Sequence, residues 1–225
     1  MNEDITPLTG FQGMARLFPL PNMVFFPQAV QPLHIFEPRY RQLTADALAG
    51  DRLIALVLPK PGWEADYGAS PNVHAVACLG KIIAEQKMDD GRYNLLLRGL
   101  CRIQIVHEIP HGKLYRKAKA ELLVEVHLLD NAGERRWRRR LGKILPAWVD
   151  PKVMTQFRRL LKSDLPLSAI GDIIAFALPL EMEFKQELLE ELEVEIRVKK
   201  LLECLEARKP KPKVQRPFPP EFSVN

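Results

Sequence analysis

One run of the chain has the pattern of a catalytic motif. Residues 107–111, His-Glu-Ile-Pro-His, spell H-E-x-x-H, in which two histidines hold zinc and the glutamate acts as general base in metalloproteases. That chemistry needs a helix, because a helix brings His107 and His111 onto one face. A β-rich run, 102–106, leads into the motif, and Pro110 and Gly112 disrupt a helix there. We therefore predict a strand end followed by a turn, and no metal site.

The patterns of nucleotide and serine chemistry are missing from the sequence. The Gly-Lys pairs that begin at Gly80, Gly112 and Gly142 are followed by Ile, Leu and Ile, and none has a glycine five residues earlier, so none is a phosphate-binding P-loop. The four serines lie outside any G-x-S-x-G nucleophile elbow. We expect a protein that is not an enzyme and needs no cofactor.

Length and composition indicate an ordinary globular protein. The 225 residues are 47% hydrophobic and 27% charged, and no apolar run approaches the ~18 residues that cross a bilayer. The first five residues lack the basic and apolar regions of a secretory signal. The three cysteines have no paired spacing. These features predict a cytoplasmic location without membrane association.

The basic charge of the chain is local. The net charge is +5, yet residues 134–143 alone carry +5 and residues 207–225 carry +4, which leaves −4 for the rest. The arginine-rich stretch 135–140 could contact the phosphates of a nucleic acid, since guanidinium groups match phosphate geometry. We favour the alternative of a solvated helix face with Trp137 in the core. RNA binding stays open as a second function.

The first half of the chain has β-sheet patterning. Prolines punctuate the apolar stretch 16–36 and exclude a helix there, whereas Pro38 opens a short helix that ends at Gly50. Further strands are predicted over 53–58, 73–86 and 92–106, with a hairpin turn at 89–91. The stretch 114–128 fits a strand by alternation and a helix by propensity.

The second half is predicted to be helical. Apolar residues recur at helical spacing after residue 133, and 181–206 forms one long helix, or two with a break near Glu193. We therefore divide the chain into an N-terminal extension 1–15, a β-rich subdomain 16–129, a helical bundle 134–206 and a basic, proline-rich, disordered tail 207–225.

Several stretches resemble a known family. The opening 17–48 (LFPLPNMVFFPQAVQPLHIFEPRYRQL and onward) is similar to the start of the Lon N-terminal, or substrate-binding, domain. The similarity continues at 78–82 (CLGKI), 90–102 (DGRYNLLLRGLCR), 115–118 (YRKA), 185–190 and 197–202. It covers roughly residues 14–206.

The resemblance implies an α+β fold, with an N-terminal twisted, PUA-like β-barrel that carries one helix and a C-terminal α-helical bundle. It also implies that 114–128 contains a strand. The chain looks like a stand-alone Lon N-terminal-domain protein that lacks the ATPase and Ser-Lys protease modules. The family's role implies a module or adaptor that recognises unfolded or partner polypeptides, with a polypeptide client or a protease or chaperone as partner. The oligomeric state does not follow from the sequence.

Six side chains are candidates for contact with a polypeptide. Aromatic residues dominate the contact energy of binding patches, and the proline-broken stretch and the long loop 59–72 are rich in them. The candidates are Trp63 and Tyr67 on the loop, and Phe25, Phe26, His34 and Phe36 in the stretch. For each phenylalanine the alternative is a place in the core. A third possibility for function is docking of the C-terminal helices onto a protease or chaperone.

Overall fold

Runs rich in apolar and β-branched residues form most of the strands in the first half of the chain. The structure is a computed structural model that describes residues 11–66, 70–208 and 223–224. Its strands are β1 (Met14–Pro19), β2 (Val30–Ile35), β3 (Leu53–Val57), β4 (Val76–Lys87), β5 (Tyr93–Glu108), β6 (Arg116–Leu122) and β7 (Ser223–Val224). The predicted helix lies between β2 and β3 as α1 (Pro38–Leu48), with Pro38 in its first turn. The strand interpretation of 114–128, which the resemblance implied, is confirmed by β6.

The strands form one sheet in the order β4-β3-β1-β6-β5-β2-β7, with β4 also paired to β5. This extra pairing joins the two ends of the segment β4-β3-β1-β6-β5, so these five strands form a closed ring of hydrogen-bonded pairs. β2 extends the sheet from β5, and β7 pairs in parallel with the outer edge of β2. The β4–β5 hairpin turns at Gly91, whose φ of +80° suits glycine.

The core of the ring takes side chains from each of its strands. Leu17, Ala55, Leu79, Ile103 and Ala118 come from β1, β3, β4, β5 and β6 and are fully buried. Burial of such side chains contributes roughly 1.5–3 kcal/mol each for the larger ones. Apolar burial stabilises the ring, and none of Cys78, Cys101 and Cys204 is in a disulfide.

Helices make up the second unit, Val124–Arg216, whereas Met1–Leu123 and Pro217–Asn225 form the first. They are α2 (Asn131–Ile144), α3 (Pro151–Lys162), α4 (Leu167–Ala177), α5 (Met182–Glu190) and α6 (Val194–Ala207). Aspartate side chains cap the N-termini of α2 and α3. Asp130 accepts a hydrogen bond from the Gly133 N–H, and Asp150 accepts one from the Lys152 N–H. The break near Glu193 is present between α5 and α6, so the two-helix alternative is the observed one.

The mixed α+β class is confirmed. The observed elements begin and end a few residues from the predicted limits: β1 starts at Met14, two residues before position 16, and α2 starts at Asn131, three before 134. Asp130 explains the early start of α2, since its side chain caps the helix. Most of the tail that was predicted to be disordered, 209–222 together with Asn225, lies outside the described residues. Within the described ranges, no helix combines the length and apolarity needed to cross a bilayer.

Candidate functional site

A cleft in the first unit gathers aromatic and proline side chains from separate parts of the chain. We call it the Trp63 cleft; its lining includes Pro19, Tyr40, Trp63, Pro71, Leu114 and Tyr115, and also Arg39 and Arg116. The end of β1, the start of α1, the loop after β3 and the loop before β6 supply these residues. Strand pairing brings them together, because β1 lies between β3 and β6 in the ring.

The loop before β6 is anchored to α1 by hydrogen bonds. The Leu114 N–H donates to Gln42 Oε1 at 2.7 Å, and the Tyr115 hydroxyl donates to Asp46 Oδ2 at 2.8 Å. The Leu114 side chain nevertheless stays 64% exposed. The protein thus holds an aliphatic side chain at the surface on a fixed backbone, beside buried aromatic rings.

The aromatic rings beside Leu114 are well packed. Tyr40 is buried and its ring centroid lies 4.1 Å from that of Phe18, while the Arg39 guanidinium carbon lies 4.6 Å from the Tyr40 centroid. Tyr115 is 8% exposed. Burial, followed by the hydrogen bond to the Asp46 carboxylate, raises the pKa of Tyr115 to about 12, so this phenol stays neutral at physiological pH.

Arg116 fixes the loop that carries Trp63. Its guanidinium donates to the Pro71 carbonyl at 2.8 Å and forms an ion pair with Glu108 at the end of β5. Trp63 itself begins a 3-10 turn, Trp63–Asp66, and is half-buried. The walls of the cleft therefore combine aromatic and cationic side chains.

The size of the cleft limits what it can hold. Its volume is about 60 Å³, whereas sites for small molecules and cofactors usually enclose ~300–1,000 Å³. A single side chain of a polypeptide fits such a depression, and a nucleotide does not. No group of three or more His, Cys, Asp or Glu side chains able to hold a metal exists among the residues that the structure describes.

The structure places two of the six predicted contact residues in the core. Phe25 and Phe26 are 1% and 0% exposed, which is the alternative that the sequence left open. Two glycines make room for them: a Cβ at Gly80 would lie 3.0 Å from the Phe25 ring, and one at Gly99 would lie 2.1 Å from the Phe26 carbonyl oxygen. These phenylalanines cannot contact a partner without unpacking the sheet, so we remove them from the candidate site.

The remaining predicted residues are not all brought together. His34 and Phe36 are half-buried, with ring centroids 6.2 Å apart, and His34 Nδ1 lies 2.7 Å from Asn94 Oδ1. Neither belongs to the lining of the Trp63 cleft. Tyr67 lies outside the described residues, as do Gly68 and Ala69. Of the five candidates that lie within the described residues, only Trp63 lines the cleft.

Several lining residues of the cleft were not predicted as contact residues from the sequence. They include Tyr40, Leu114 and Tyr115. One signal could have indicated them: Leu114 follows a turn, Pro110–Gly112, and an aliphatic side chain in a polar loop is unusual. Its exposure could not be read from local pattern, because it depends on the bonds to Gln42 and Asp46.

The H-E-x-x-H run does not form the helix that zinc chemistry requires. His107 and Glu108 end β5, Glu108 pairs with Arg116, and residues after Pro110 form a turn with Gly112 at φ +69°. His111 Nε2 lies 2.9 Å from the Tyr115 carbonyl oxygen. The motif residues thus belong to the end of β5 and to the loop that carries Leu114, in agreement with the predicted strand end and turn.

The arginine-rich stretch 135–140 lies on α2, with Trp137 buried as expected. Two of its arginines bond to other residues of the helical unit. Arg138 donates to the carbonyls of Ser163 and Leu165 beyond the end of α3, and Arg140 pairs with Glu206 at 2.9 Å. Arg140 and the other three arginines, Arg135, Arg136 and Arg139, are exposed.

Comparison with known proteins identifies the family. Residues 14–207 match the family described as the ATP-dependent protease La (LON) substrate-binding domain. The chain is 27% identical over 195 residues to Lon protease of Anaeromyxobacter dehalogenans and to Lon protease 2 of Myxococcus xanthus. In both cases 86% of this chain aligns with 23% of the relative. The chain thus spans about a quarter of the length of these relatives.

Solved structures agree on the fold. The Lon N-terminal domain protein from Xanthomonas campestris superposes with a TM-score of 0.59 at 22% identity, covering 84% of this chain and 97% of that one. The N-terminal domain of the Mycobacterium avium complex Lon protease gives a TM-score of 0.67 at 16% identity, covering 87% and 99%. From the family match over 14–207 and these shared folds, we conclude that the chain belongs to the Lon substrate-binding domain family.

Proposed function

We propose that this chain is a non-catalytic module that binds unfolded or extended polypeptides, and that the Trp63 cleft is its contact site. One observation carries the proposal: Leu114 is held exposed on an anchored loop beside Trp63, Tyr40 and Tyr115. Ordering a flexible side chain on binding costs about 0.5–1.5 kcal/mol. A pre-anchored loop avoids part of that cost. Membership of a substrate-binding family supports the class of ligand.

The chemistry of the cleft supports a client side chain that is apolar or aromatic. Proline rings and aromatic faces offer apolar area without unsatisfied polar groups. Arg39 and Arg116 add donors near the lining, although each already pairs with a carboxylate, Glu37 and Glu108. The cleft has room for one side chain, so we expect weak binding that relies on repeated encounters along an unfolded chain. We infer a role as adaptor, with a protease or chaperone receiving the bound client.

The test is a titration with a reduced and alkylated model protein that stays unfolded, and with the same protein in its native, disulfide-bonded form. The unfolded form should bind and the native form should not. Leu114→Ala should weaken binding, and Val106→Ala is the matched control, since Val106 is a 49% exposed aliphatic residue of β5 outside the cleft lining. Equal binding of the native and unfolded forms would count against the proposal.

RNA binding through α2 is the second candidate. The observation in its favour is that Arg135, Arg136 and Arg139 remain exposed. Two observations weigh against it. Arg138 donates to backbone carbonyls of the helical unit and Arg140 forms a surface ion pair with Glu206. The ring of Trp137 is buried, which removes the aromatic platform on which bases commonly stack.

We also propose a reducing compartment such as the cytoplasm. The support is that none of Cys78, Cys101 and Cys204 is in a disulfide and each is at least partly buried. A free, buried cysteine behaves as a small apolar residue and is compatible with a reducing environment.

A further inference from the structure

Four cations share the outer face of α2. Arg135, Arg136, Arg139 and Lys143 occupy positions i, i+1, i+4 and i+8, which fall within an arc of about 100° on a helix. All four are exposed. We call this set the α2 basic face.

The α2 basic face is electrostatically unfavourable on its own. Like charges at i and i+4, such as Arg135 with Arg139 and Arg139 with Lys143, destabilise a helix by about 0.2–0.5 kcal/mol per pair. Carboxylates that neutralise neighbouring arginines are present elsewhere: Glu134 pairs with Arg138, and Glu206 pairs with Arg140. Within the described ranges no ion pair links the four cations of the face to a carboxylate. Repulsion among these four cations lowers the stability of α2, and no carboxylate of the described residues offsets it. Surface features that lower stability in this way are typical of sites that bind a partner.

Exposed aliphatic side chains occur in the segment that precedes α2. Val124, Val126 and Leu128 are 79%, 44% and 71% exposed. Leu128 lines one depression together with Ala132, Arg136 and Arg139. The segment itself is held in place, since Val126 exchanges two backbone hydrogen bonds with Leu192 and Val194 at 2.9 and 3.1 Å.

We propose that the α2 basic face and the aliphatic residues Val124 and Leu128 together bind an acidic polypeptide segment that also carries aliphatic side chains. Charge complementarity selects the acidic residues of the partner. The exposed Val124 and Leu128 select its apolar residues, because burial of a CH₂ group is favourable by about 0.8 kcal/mol. The chain's own basic tail is excluded as the occupant, because residues 207–225 carry a net charge of +4 and would be repelled.

A polypeptide fits these residues better than RNA. Single-stranded RNA is held by aromatic stacking as well as by phosphate contacts, yet the aromatic ring of α2, Trp137, is only 5% exposed. Its ring lies 5.7 Å from the guanidinium carbon of Arg136 and 5.2 Å from that of Arg140. Arg136 lines the same depression as Leu128, and the lining of that depression contains no aromatic side chain.

The proposed surface shares no residue with the Trp63 cleft, so the two proposals can fail separately. The probe is a fluorescent peptide of about twelve residues containing Glu and Leu, a length that spans a helix face of this size. Comparison peptides replace each Glu by Lys or each Leu by Ser, and an oligouridine of similar length serves as the RNA probe. Fluorescence anisotropy measures binding to the full chain.

The double variant Arg135→Glu/Arg139→Glu should weaken binding of the Glu/Leu peptide by about tenfold or more, because two attractive charges become repulsive. The matched control Lys87→Glu/Lys119→Glu makes the same change of net charge on exposed strand positions of the other unit and should alter binding by less than about twofold. Leu128→Ser should weaken peptide binding by about threefold. Val106→Ala, which shortens an exposed aliphatic side chain of β5 outside both surfaces, should leave peptide binding unchanged. Circular dichroism checks that each variant is folded.

Three outcomes would overturn the proposal. The first is equal loss in the α2 variant and in the matched control, which would indicate attraction by net charge alone. The second is oligouridine that binds more tightly than the peptide and is indifferent to Leu128→Ser, which would make the face a nucleic-acid site. The third is no binding of the Glu/Leu peptide at high micromolar concentration.

Discussion

Arg197 and Asp172 form a buried ion pair in the helical unit, with 3.2 Å between Nε and Oδ1 and 2% exposure of each side chain. Its geometry is that of an ion pair, since Nε is not aligned for a hydrogen bond. The same guanidinium donates to the Glu191 carbonyl at 2.7 Å and pairs with Glu125. Arg197 thereby ties α6 to α4, to the α5–α6 connection and to the segment before α2.

Arg197→Met should destabilise the helical unit by about 3–5 kcal/mol, because it removes the cation beside a buried carboxylate. Urea unfolding followed by fluorescence of Trp137 and Trp148 measures the change. Lys199→Met is the control: its ion pair with Glu203 spans 4.0 Å with both side chains about 60% exposed, so it should cost less than ~0.5 kcal/mol. Similar costs for the two variants would contradict the structural role of Arg197.

Trp63→Ala should weaken binding of an unfolded polypeptide by about tenfold or more, since a single aromatic residue in a contact site often contributes ~2 kcal/mol. Leu114→Ala should weaken it by about threefold to tenfold, because less apolar area is lost. Isothermal titration with a reduced, alkylated model protein gives the affinities. Val106→Ala should bind as the wild type does, and a loss there as large as in Leu114→Ala would argue against the cleft.

Tyr115→Phe should change the pH dependence of stability above pH 10. The pKa of Tyr115 is raised from 10.0 to about 12 in the folded chain, so the phenol ionises more easily when the chain is unfolded. The stabilisation from the neutral phenol is therefore complete below pH 10 and is lost as the pH rises towards 12.

The wild type should lose about 1.4 kcal/mol more than Tyr115→Phe between pH 9 and pH 11. Chemical denaturation of both proteins at the two pH values measures this difference. Parallel losses would show that Tyr115 ionises alike in the folded and unfolded chain.

Cys101 should react slowly with iodoacetamide in the folded protein. Burial raises the pKa of its thiol to about 11, against the weaker opposing influence of Arg102, so at pH 8 its thiolate is about a hundredfold scarcer than that of a free cysteine. Burial also raises the pKa of Cys204. Peptide mapping after timed alkylation, with and without urea, gives the rate at each cysteine; equal rates at Cys101 in both conditions would refute the prediction.

Gly99→Ala should destabilise the β-rich unit by more than ~2 kcal/mol. A Cβ there would lie 2.1 Å from the Phe26 carbonyl oxygen, and that backbone is held to β5 by the Gly99 N–H donating to the Ala29 carbonyl at 2.9 Å. Gly142→Ala in α2 is the contrasting variant, since its Cβ would meet Leu161 at 3.4 Å and alanine favours the helix by up to about 1 kcal/mol. Thermal unfolding should move in opposite directions for the two.

The secondary structure followed from local pattern more closely than the site did. A short apolar run indicated β3, runs rich in β-branched and apolar residues indicated β4 and β5, and the Asp-Asp-Gly turn indicated the hairpin between β4 and β5. The stretch that became β6 could not be assigned by pattern, because alternation favours a strand and propensity favours a helix; its pairing with β1 and β5 decides the matter.

The candidate site depends on contacts between distant parts of the chain. Trp63 was predicted from its place on a loop, whereas Leu114 is exposed because Gln42 holds its backbone 72 residues away in sequence. For Phe25 and Phe26, next to chain-breaking prolines, the sequence left both a contact site and the core open. Gly80 and Gly99 provide the room that buries them, and a glycine within a strand pattern is a signal for such close approach.

The pairing of Ser223–Val224 with β2 has a practical consequence for anyone who attaches a second protein to this chain. A fluorescent or affinity partner joined after Asn225 is separated from β7 by a single residue. A force on that partner would separate β7 from β2 and expose the backbone of Leu33 and His34. Bare strand edges recruit other chains and promote aggregation. Joining the second protein before Met1 leaves that edge covered.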